Sequence, residues 1–287
     1  MPDTNQNILV TIGSEYYNFT ASEKKVCDYV LGNQDSSAYL SISELAAACG
    51  VAEATVTRFC RRLGCKGYNA FKLSLANASA QHKSDTNPLS GEITPEDDLP
   101  TICQKLLVAE TQAMSQTMEV LSAEAVARAA TYLEKAGRVL CMGQGGSMLM
   151  ASEAAHLFST VSNKFTPISD AHMQAMAVAL IEKGDVVFFF SYSGSTTAMI
   201  DTLQLAKDNG GIVILVTRFP NSPGAKLADV VLQCGANENP IQSGSIAARI
   251  AQLYLLDVLF SEYSHRNMEE AFRTRSRIAN ALADKHF

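Results

Sequence analysis

The sequence predicts two domains: an all-α domain of helix-turn-helix type, followed by an α/β domain built on a doubly wound parallel sheet. Three observations predict this. Residues 40–64 read as a helix, a glycine turn and a second helix. From about residue 122, short apolar runs alternate with helical patterns, the βαβ rhythm of a parallel sheet with helices on both faces. Two of those runs end in loops rich in glycine and hydroxyls that open directly into helices.

Composition bounds the reading. A chain of 287 residues, 47% apolar and 18% charged, can bury a substantial core. No apolar run approaches the roughly 18 residues a membrane span needs, and the polar first ten residues lack a signal-peptide core. The seven cysteines are odd in number, contain no Cys-x-x-Cys, and mostly fall inside apolar or helical patterns. That pattern predicts buried free thiols in a reducing cytoplasm. Cys60 and Cys65 lie close together, but no histidine joins them at zinc-site spacing, so neither a metal nor a cofactor is expected.

In the first domain, placed at residues 1–80, residues 1–19 carry little pattern. Thr20-Ala21-Ser22-Glu23 has capping-box spacing, and Val26, Tyr29 and Val30 form the apolar face of the helix it starts. Ser43 is expected to cap a short helix that packs through Leu45 and Ala46, Gly50 to make the turn, and Val51 to point inward. A second helix from about Glu53 to Leu63 hides Val56, Phe59, Cys60 and Leu63, and leaves Glu53, Thr55, Thr57, Arg58, Arg61 and Arg62 outside.

Charge gives that outer face a meaning. Residues 1–84 carry eight basic and seven acidic side chains, the remainder fifteen and twenty-two, and residues 54–84 hold no acid at all. A basic block within an acidic protein is the electrostatic footprint of nucleic-acid binding. A recognition helix offers its first residues to base edges while arginines and lysines further along hold phosphates. The expected DNA-binding set is therefore Ser43, Glu53, Thr55, Thr57, Arg58, Arg61, Arg62, Lys66 and Lys72. The partner implied is double-stranded operator DNA. Since one such motif reads a short half-site, at least a dimer is expected.

Residues 81–100 are polar, hold three prolines and read as a linker. The second domain, placed at 101–287, begins with a helical pattern through Ile102, Leu106, Leu107, Met114, Met118 and Leu121, then a helix from about 125 to 136. Strands are expected at 138–142, 165–168, 186–190, 211–217 and 230–232. A helix opening at Asp170 should run to about Lys183. Helices are also expected at 241–263, whose length and apolarity suggest an association surface, and at 268–283.

The chemistry concentrates at two strand ends. After Val186-Val187-Phe188-Phe189-Phe190 comes Ser191-Tyr192-Ser193-Gly194-Ser195-Thr196, then the helical spacing of Met199, Ile200 and Leu203. Gly194 permits a sharp turn, while free N–H groups at the helix start and the surrounding hydroxyls suit a phosphate. Arg138-Val139-Leu140-Cys141-Met142 likewise runs into Gly143-Gln144-Gly145-Gly146-Ser147. A dinucleotide site would want Gly-x-Gly-x-x-Gly with a later acidic partner; here Ser147 and Met148 break that pattern, pointing to a sugar phosphate instead.

These paired loops resemble the sugar isomerase (SIS) domain, with its Ser-x-Ser-Gly-x-Thr loop, over roughly residues 122 to 262. The resemblance implies that Ser191, Ser193 and Thr196, with Ser147 from the first loop, hold a phosphosugar; Gly146, Gly194 and Ser195 complete the loops. Asp170-Ala171-His172-Met173-Gln174 is similar to a segment in some members where the histidine approaches the sugar. Val56-Thr57-Arg58-Phe59-Cys60-Arg61-Arg62-Leu63-Gly64, Gly67-Tyr68, Phe71-Lys72 and the 245–253 segment extend the likeness to RpiR-type transcriptional regulators across nearly the whole chain. That resemblance implies a DNA-binding regulator whose SIS domain senses a phosphosugar, acting as a dimer or tetramer on a sugar-utilisation operon. The alternative is a phosphosugar isomerase using the same pocket, with Glu153, His156, His172 and Glu238 as the acid–base candidates. The DNA-binding signature weighs against it.

Overall fold

The computed structural model describes residues 8–82, 93–235 and 246–283. Half of the predicted linker (83–92), the start of the predicted 241–263 helix and Glu238 lie outside the described residues. The chain divides into two units, residues 1–109 with 237–245, and residues 110–236 with 246–287.

Among its described residues the first unit contains helices and no strand. Helix α1 (Ile8–Ser14) and a 3₁₀ turn at Tyr16–Asn18 occupy the stretch that showed little pattern, and Ile8 and Ile12 are buried. Thr20 and Glu23 form the expected capping box on α2 (Ala21–Gly32). One turn, α3 (Gln34–Ser37), precedes the motif helices α4 (Ile42–Cys49) and α5 (Glu53–Arg62). The cap of α4 is Ser41 rather than Ser43: Ser41 accepts from the Glu44 N–H, and the Glu44 carboxylate returns the bond. Gly50 ends α4 in the left-handed region, φ 63°, which a side chain would strain. Helix α6 (Tyr68–His82), not foreseen from the pattern, closes the core with Phe71 and Leu75. Phe59 lies 5.0 Å from Phe19 and 5.7 Å from Phe71, ring centre to ring centre, so the inner side of α5 is locked.

Helix α7 (Leu99–Val120) contains the division between the units. The second unit follows with α8 (Ala123–Lys135), β1 (Val139–Gly143), α9 (Gly146–Ser159), β2 (Phe165–Ile168), α10 (Ala171–Ala179), β3 (Val186–Phe190), α11 (Thr197–Asp208), β4 (Ile212–Thr217), β5 (Val230–Gln233), α12 (Ile246–Arg266) and α13 (Met268–Leu282). The strands form one parallel sheet in the order β2-β1-β3-β4-β5. Both faces are covered: Val186, Phe188 and Phe190 pack towards α8, α9 and α12, and Val187 and Phe189 towards α10 and α11. This explains why β3 reads as an unbroken apolar run.

Two expectations change. Helix α10 stops at Ala179, not near Lys183, because side chains take its last carbonyls: Asn209 donates to Val178 O and Arg138 to Leu180 O. Asp185 then accepts from the Glu182 N–H and holds the turn into β3. Helix α12 is a core helix: Leu255, Leu256, Leu259 and Phe260 are buried inside its own domain, so these residues are not offered to a partner.

Candidate functional site

In the 2-1-3-4-5 order, the connections leaving β1 and β3 run to opposite sides of β1, and the crevice beyond the carboxyl ends of those strands is the ligand position of an open α/β sheet. Both predicted loops lie there. Gly143, Gln144, Gly145, Gly146 and Ser147 leave β1 and start α9; Ser191 to Thr196 leave β3 and start α11. Any Cβ on Gly143 would come within 2.6 Å of the Ser147 carbonyl oxygen, so the first loop closes only around glycine. Gly194 is at φ 59°, where a Cβ would also run into the buried Ser222 side chain.

Bonds at the base of the second loop hold it against β4. The Ser191 N–H donates to Val216 O at 3.0 Å, and the Gly194 N–H to Ser191 O at 3.2 Å. Thr217 Oγ1 and the Arg218 N–H both donate to Tyr192 O, each at 3.0 Å. Ser191 is buried at this base, whereas Ser193 and Thr196 are exposed and Ser195 half-buried. The outer hydroxyls are braced locally: Ser195 Oγ donates to Ser193 O at 3.0 Å, and Ser193 Oγ accepts from the Ser195 N–H at 3.3 Å. Tyr192 turns away to pack with Ala113 of α7, Cys234, and Ala247, Ala248 and Ala251 of α12.

The helix starts carry the electrostatics. The neighbouring helices α8 and α10 are capped by their own side chains, Ser122 and Asp170. At α9 and α11 the capping positions are Gly145 and Thr196, and neither gives its helix a side-chain bond. Two positive helix ends therefore face the crevice with their N–H groups unsatisfied by a capping side chain, an arrangement that favours an anion. The capping explanation for the loop hydroxyls thus fails for Thr196.

His172 is exposed in the first turn of α10, beyond the end of β2 and on the same sheet edge. The pattern missed Gln174. It is fully buried, and its Nε2 donates to Gly143 O at 2.9 Å and to Ile168 O at 2.8 Å, tying the ends of β1 and β2 together. Nothing in a single glutamine within a helical run signals that role. The isomerase candidates fare differently. Glu153 and His156 lie seven and ten residues beyond the start of α9, about 10 and 15 Å along it at 1.5 Å per residue, away from the loops. No group of three or more possible metal-ligating side chains occurs among the described residues.

On the first unit, Ala54, Arg58 and Arg61 are exposed at spacings of four and three along α5, with Thr57 half-buried beside them. Ala54 was not foreseen because alanine carries no charge signal. Four of the predicted DNA contacts, Thr55, Ser43, Glu53 and Arg62, are instead engaged within the fold. Thr55 is buried and accepts a bond from Arg58 Nη2 at 3.3 Å. Ser43 Oγ donates to Glu53 Oε1 at 2.5 Å, so these two side chains pin α4 to α5 across the turn. Arg62 pairs with Glu23 at 3.2 Å and lies over the Phe19 ring. Lys66 is exposed in the α5–α6 connection, and Lys72 is partly buried near Tyr68.

A helix-turn-helix unit with a basic outer face, joined to a parallel-sheet domain with anion-favouring loops at its switch point, is the build of a DNA-binding regulator. Residues 6–82 match the helix-turn-helix domain of the rpiR family, and residues 132–262 match the SIS domain. The chain is 35% identical to an uncharacterised HTH-type transcriptional regulator of Caldanaerobacter subterraneus over 96% of this chain and 97% of that one. To the HTH-type transcriptional regulator RpiR of Escherichia coli it is 27% identical, covering 88% and 84%. Among solved structures, the NanR protein of Vibrio vulnificus complexed with ManNAc-6P superposes with a TM-score of 0.86 at 26% identity, covering 98% of this chain and 99% of that one. The chain belongs to the RpiR family of transcriptional regulators. It is a regulator and not an isomerase, since relatives named as regulators align along almost its whole length.

Proposed function

We propose that this regulator senses a phosphosugar in the crevice between the β1 and β3 loops and changes its affinity for an operator of a sugar-utilisation operon in response. The observation that carries this reading is the pair of helix starts, α9 and α11, that lack side-chain caps at neighbouring strand ends. The phosphate sits on the N–H groups and hydroxyls of Ser193, Ser195 and Thr196, with Gly194 allowing close approach and Ser191 holding the loop's base. Gly146 and Ser147 supply the opposite side, and His172 approaches the sugar. NanR of Vibrio vulnificus, structurally similar throughout, was solved with ManNAc-6P, which supports the ligand class. No metal or cofactor takes part.

Operator reading falls to the exposed face of α5. Thr57 and Arg58, joined by Ala54, reach base edges, and Arg61, Lys66 and Lys72 hold phosphates. Residues 1–80 form the DNA-binding part, 81–100 the linker and 101–287 the effector part. The protein works in the cytoplasm as a homodimer or homotetramer, matching a two-fold operator. No helix among the described residues is long and apolar enough to cross a membrane.

A thermal-shift screen against phosphosugars, ManNAc-6P included, tests the reading. A ligand at ~100 times its Kd adds about 2.7 kcal/mol of stability. No shift with any phosphosugar, or steady turnover of one, would overturn it.

A further inference from the structure

Arg58 and Arg61 are both exposed on the outer face of α5, yet they are held differently. Arg61 forms no side-chain hydrogen bond among the described residues. Arg58 reaches back along the helix and donates from Nη2 to Thr55 Oγ1 at 3.3 Å. Helical side chains lean toward the N-terminus, so a partner three residues earlier lies within natural reach. Thr55 is only 6% exposed, and the bond therefore ties the far end of an exposed side chain to a point inside the domain. No carboxylate among the described residues lies at ion-pair distance from Arg58, since Glu23 is taken by Arg62.

The backbone beneath Arg58 is equally fixed. Val56, Phe59 and Cys60 are fully buried, and the Phe59 ring is locked between Phe19 and Phe71. The Ser43–Glu53 bond ties the first residue of α5 to α4. Arg58 is thus held at both ends, at its backbone by the packed helix and at its guanidinium by Thr55. A guanidinium carries five N–H donors, and the bond to Thr55 uses one of them. The rest still include a parallel pair, the fork that matches O6 and N7 of guanine. Holding a phosphate needs charge and reach but no fixed plane, which suits the unbraced Arg61. A reader ordered on folding has less freedom left to lose on binding.

We infer that Thr55 is a positioning residue for DNA reading: its buried hydroxyl aims the Arg58 guanidinium, which recognises a guanine in each half-site through O6 and N7. This rests on the operator-reading role proposed above for α5, and it names the base that role selects. The bond turns the guanidinium toward the start of α5, the end that a recognition helix offers to base edges.

Duplexes selected by the full-length wild type from a randomised library supply the probe. 7-Deazaguanine, which lacks the N7 acceptor, replaces each guanine of the selected half-site in turn, and binding is followed by fluorescence anisotropy. At one position the replacement should weaken wild-type binding roughly fivefold or more, and it should have no effect on Arg58→Ala. Arg58→Lys keeps the charge and loses the fork, so the salt slope should persist while guanine is no longer told from adenine there. Thr55→Val should cut that discrimination roughly three- to tenfold, and Thr55→Ser should restore it. A purely structural Thr55 would instead weaken every duplex alike and leave the 7-deazaguanine effect intact. If Thr55→Val does not fold, Thr55→Ala against Thr55→Ser decides, because the two differ only by the hydroxyl oxygen. No shared sequence among the selected duplexes would overturn the operator reading and this inference with it. Three results would overturn the inference alone: a shared sequence bound equally well whichever guanine is replaced, a 7-deazaguanine effect that persists in Arg58→Ala, or equal discrimination with and without the Thr55 hydroxyl.

Discussion

The Arg62 guanidinium lies 3.2 Å from the Glu23 carboxylate, across 39 residues of sequence. Glu23 also accepts from the N–H and hydroxyl of Thr20. Burial raises the Glu23 pKa, but the bonds from Thr20 and the charges of Arg62 and Arg58 outweigh it and leave the group below its ordinary carboxylate value. This arginine therefore ties the end of α5 to the start of α2. Its neighbour Arg61, one residue away on the helix, points to solvent.

The two arginines should consequently separate. Arg61→Ala is expected to weaken operator binding and lower the salt slope by roughly 1, the signature of one lost phosphate contact. Arg62→Ala should instead destabilise the fold by about 1 kcal/mol, the upper end for a pair whose arginine remains partly exposed. Fluorescence anisotropy at several salt concentrations, run beside urea melts, checks both.

Glu23 should give the first unit an acid-sensitive contact. A carboxylate with a lowered folded pKa contributes stability above its unfolded value, and that contribution disappears as pH falls through the folded pKa. Glu23→Gln should therefore be destabilising at neutral pH, with the difference from wild type shrinking at acidic pH below the ordinary carboxylate value. Urea melts at pH 7 and pH 3 report it; an equal difference at both would remove the ionised carboxylate from the account.

Ser193→Ala should blunt the effector response and leave operator binding without effector unchanged. Losing one hydroxyl donor to a charged oxygen costs ~1.5–3 kcal/mol, roughly ten- to a hundredfold in affinity. Titrating a phosphosugar hit against both proteins, with and without operator, measures the effect. Linkage requires effector and DNA to alter each other's affinity by the same factor. Equal phosphosugar affinity in the two proteins would place the effector elsewhere.

Gly194→Ala should lose more than the ligand. The positive φ and the collision with Ser222 together strain the loop, at a cost of about 1–3 kcal/mol. A lowered melting temperature in the absence of any sugar distinguishes this from a lost contact alone.

Thiol labelling under native conditions should begin at Cys103, which is exposed, and spare Cys27, Cys49 and Cys60, which are buried. Burial pushes the Cys60 thiol up to about 12, so it holds almost no thiolate at neutral pH. Mass spectrometry of alkylated peptides after brief exposure resolves the order.

The sequence by itself determined whatever depends on neighbours along the chain. The Thr20–Glu23 capping box, the glycine turn at Gly50, the five strands and the hydroxyl loop after Phe190 are set by spacing within a few residues, and each was legible there. Tertiary structure decided which side chains remain available. Arg61 and Arg62 are equivalent as letters, yet only α2 supplies the carboxylate that claims one of them. Thr55 looked exposed on α5 until α2, α4 and α6 enclosed that helix. Helix α12 read as an apolar association surface, yet α8 and α9 cover Leu255, Leu256, Leu259 and Phe260 within the domain. Local bonding follows from sequence separation, whereas burial and pairing are settled by groups that meet only when distant segments pack.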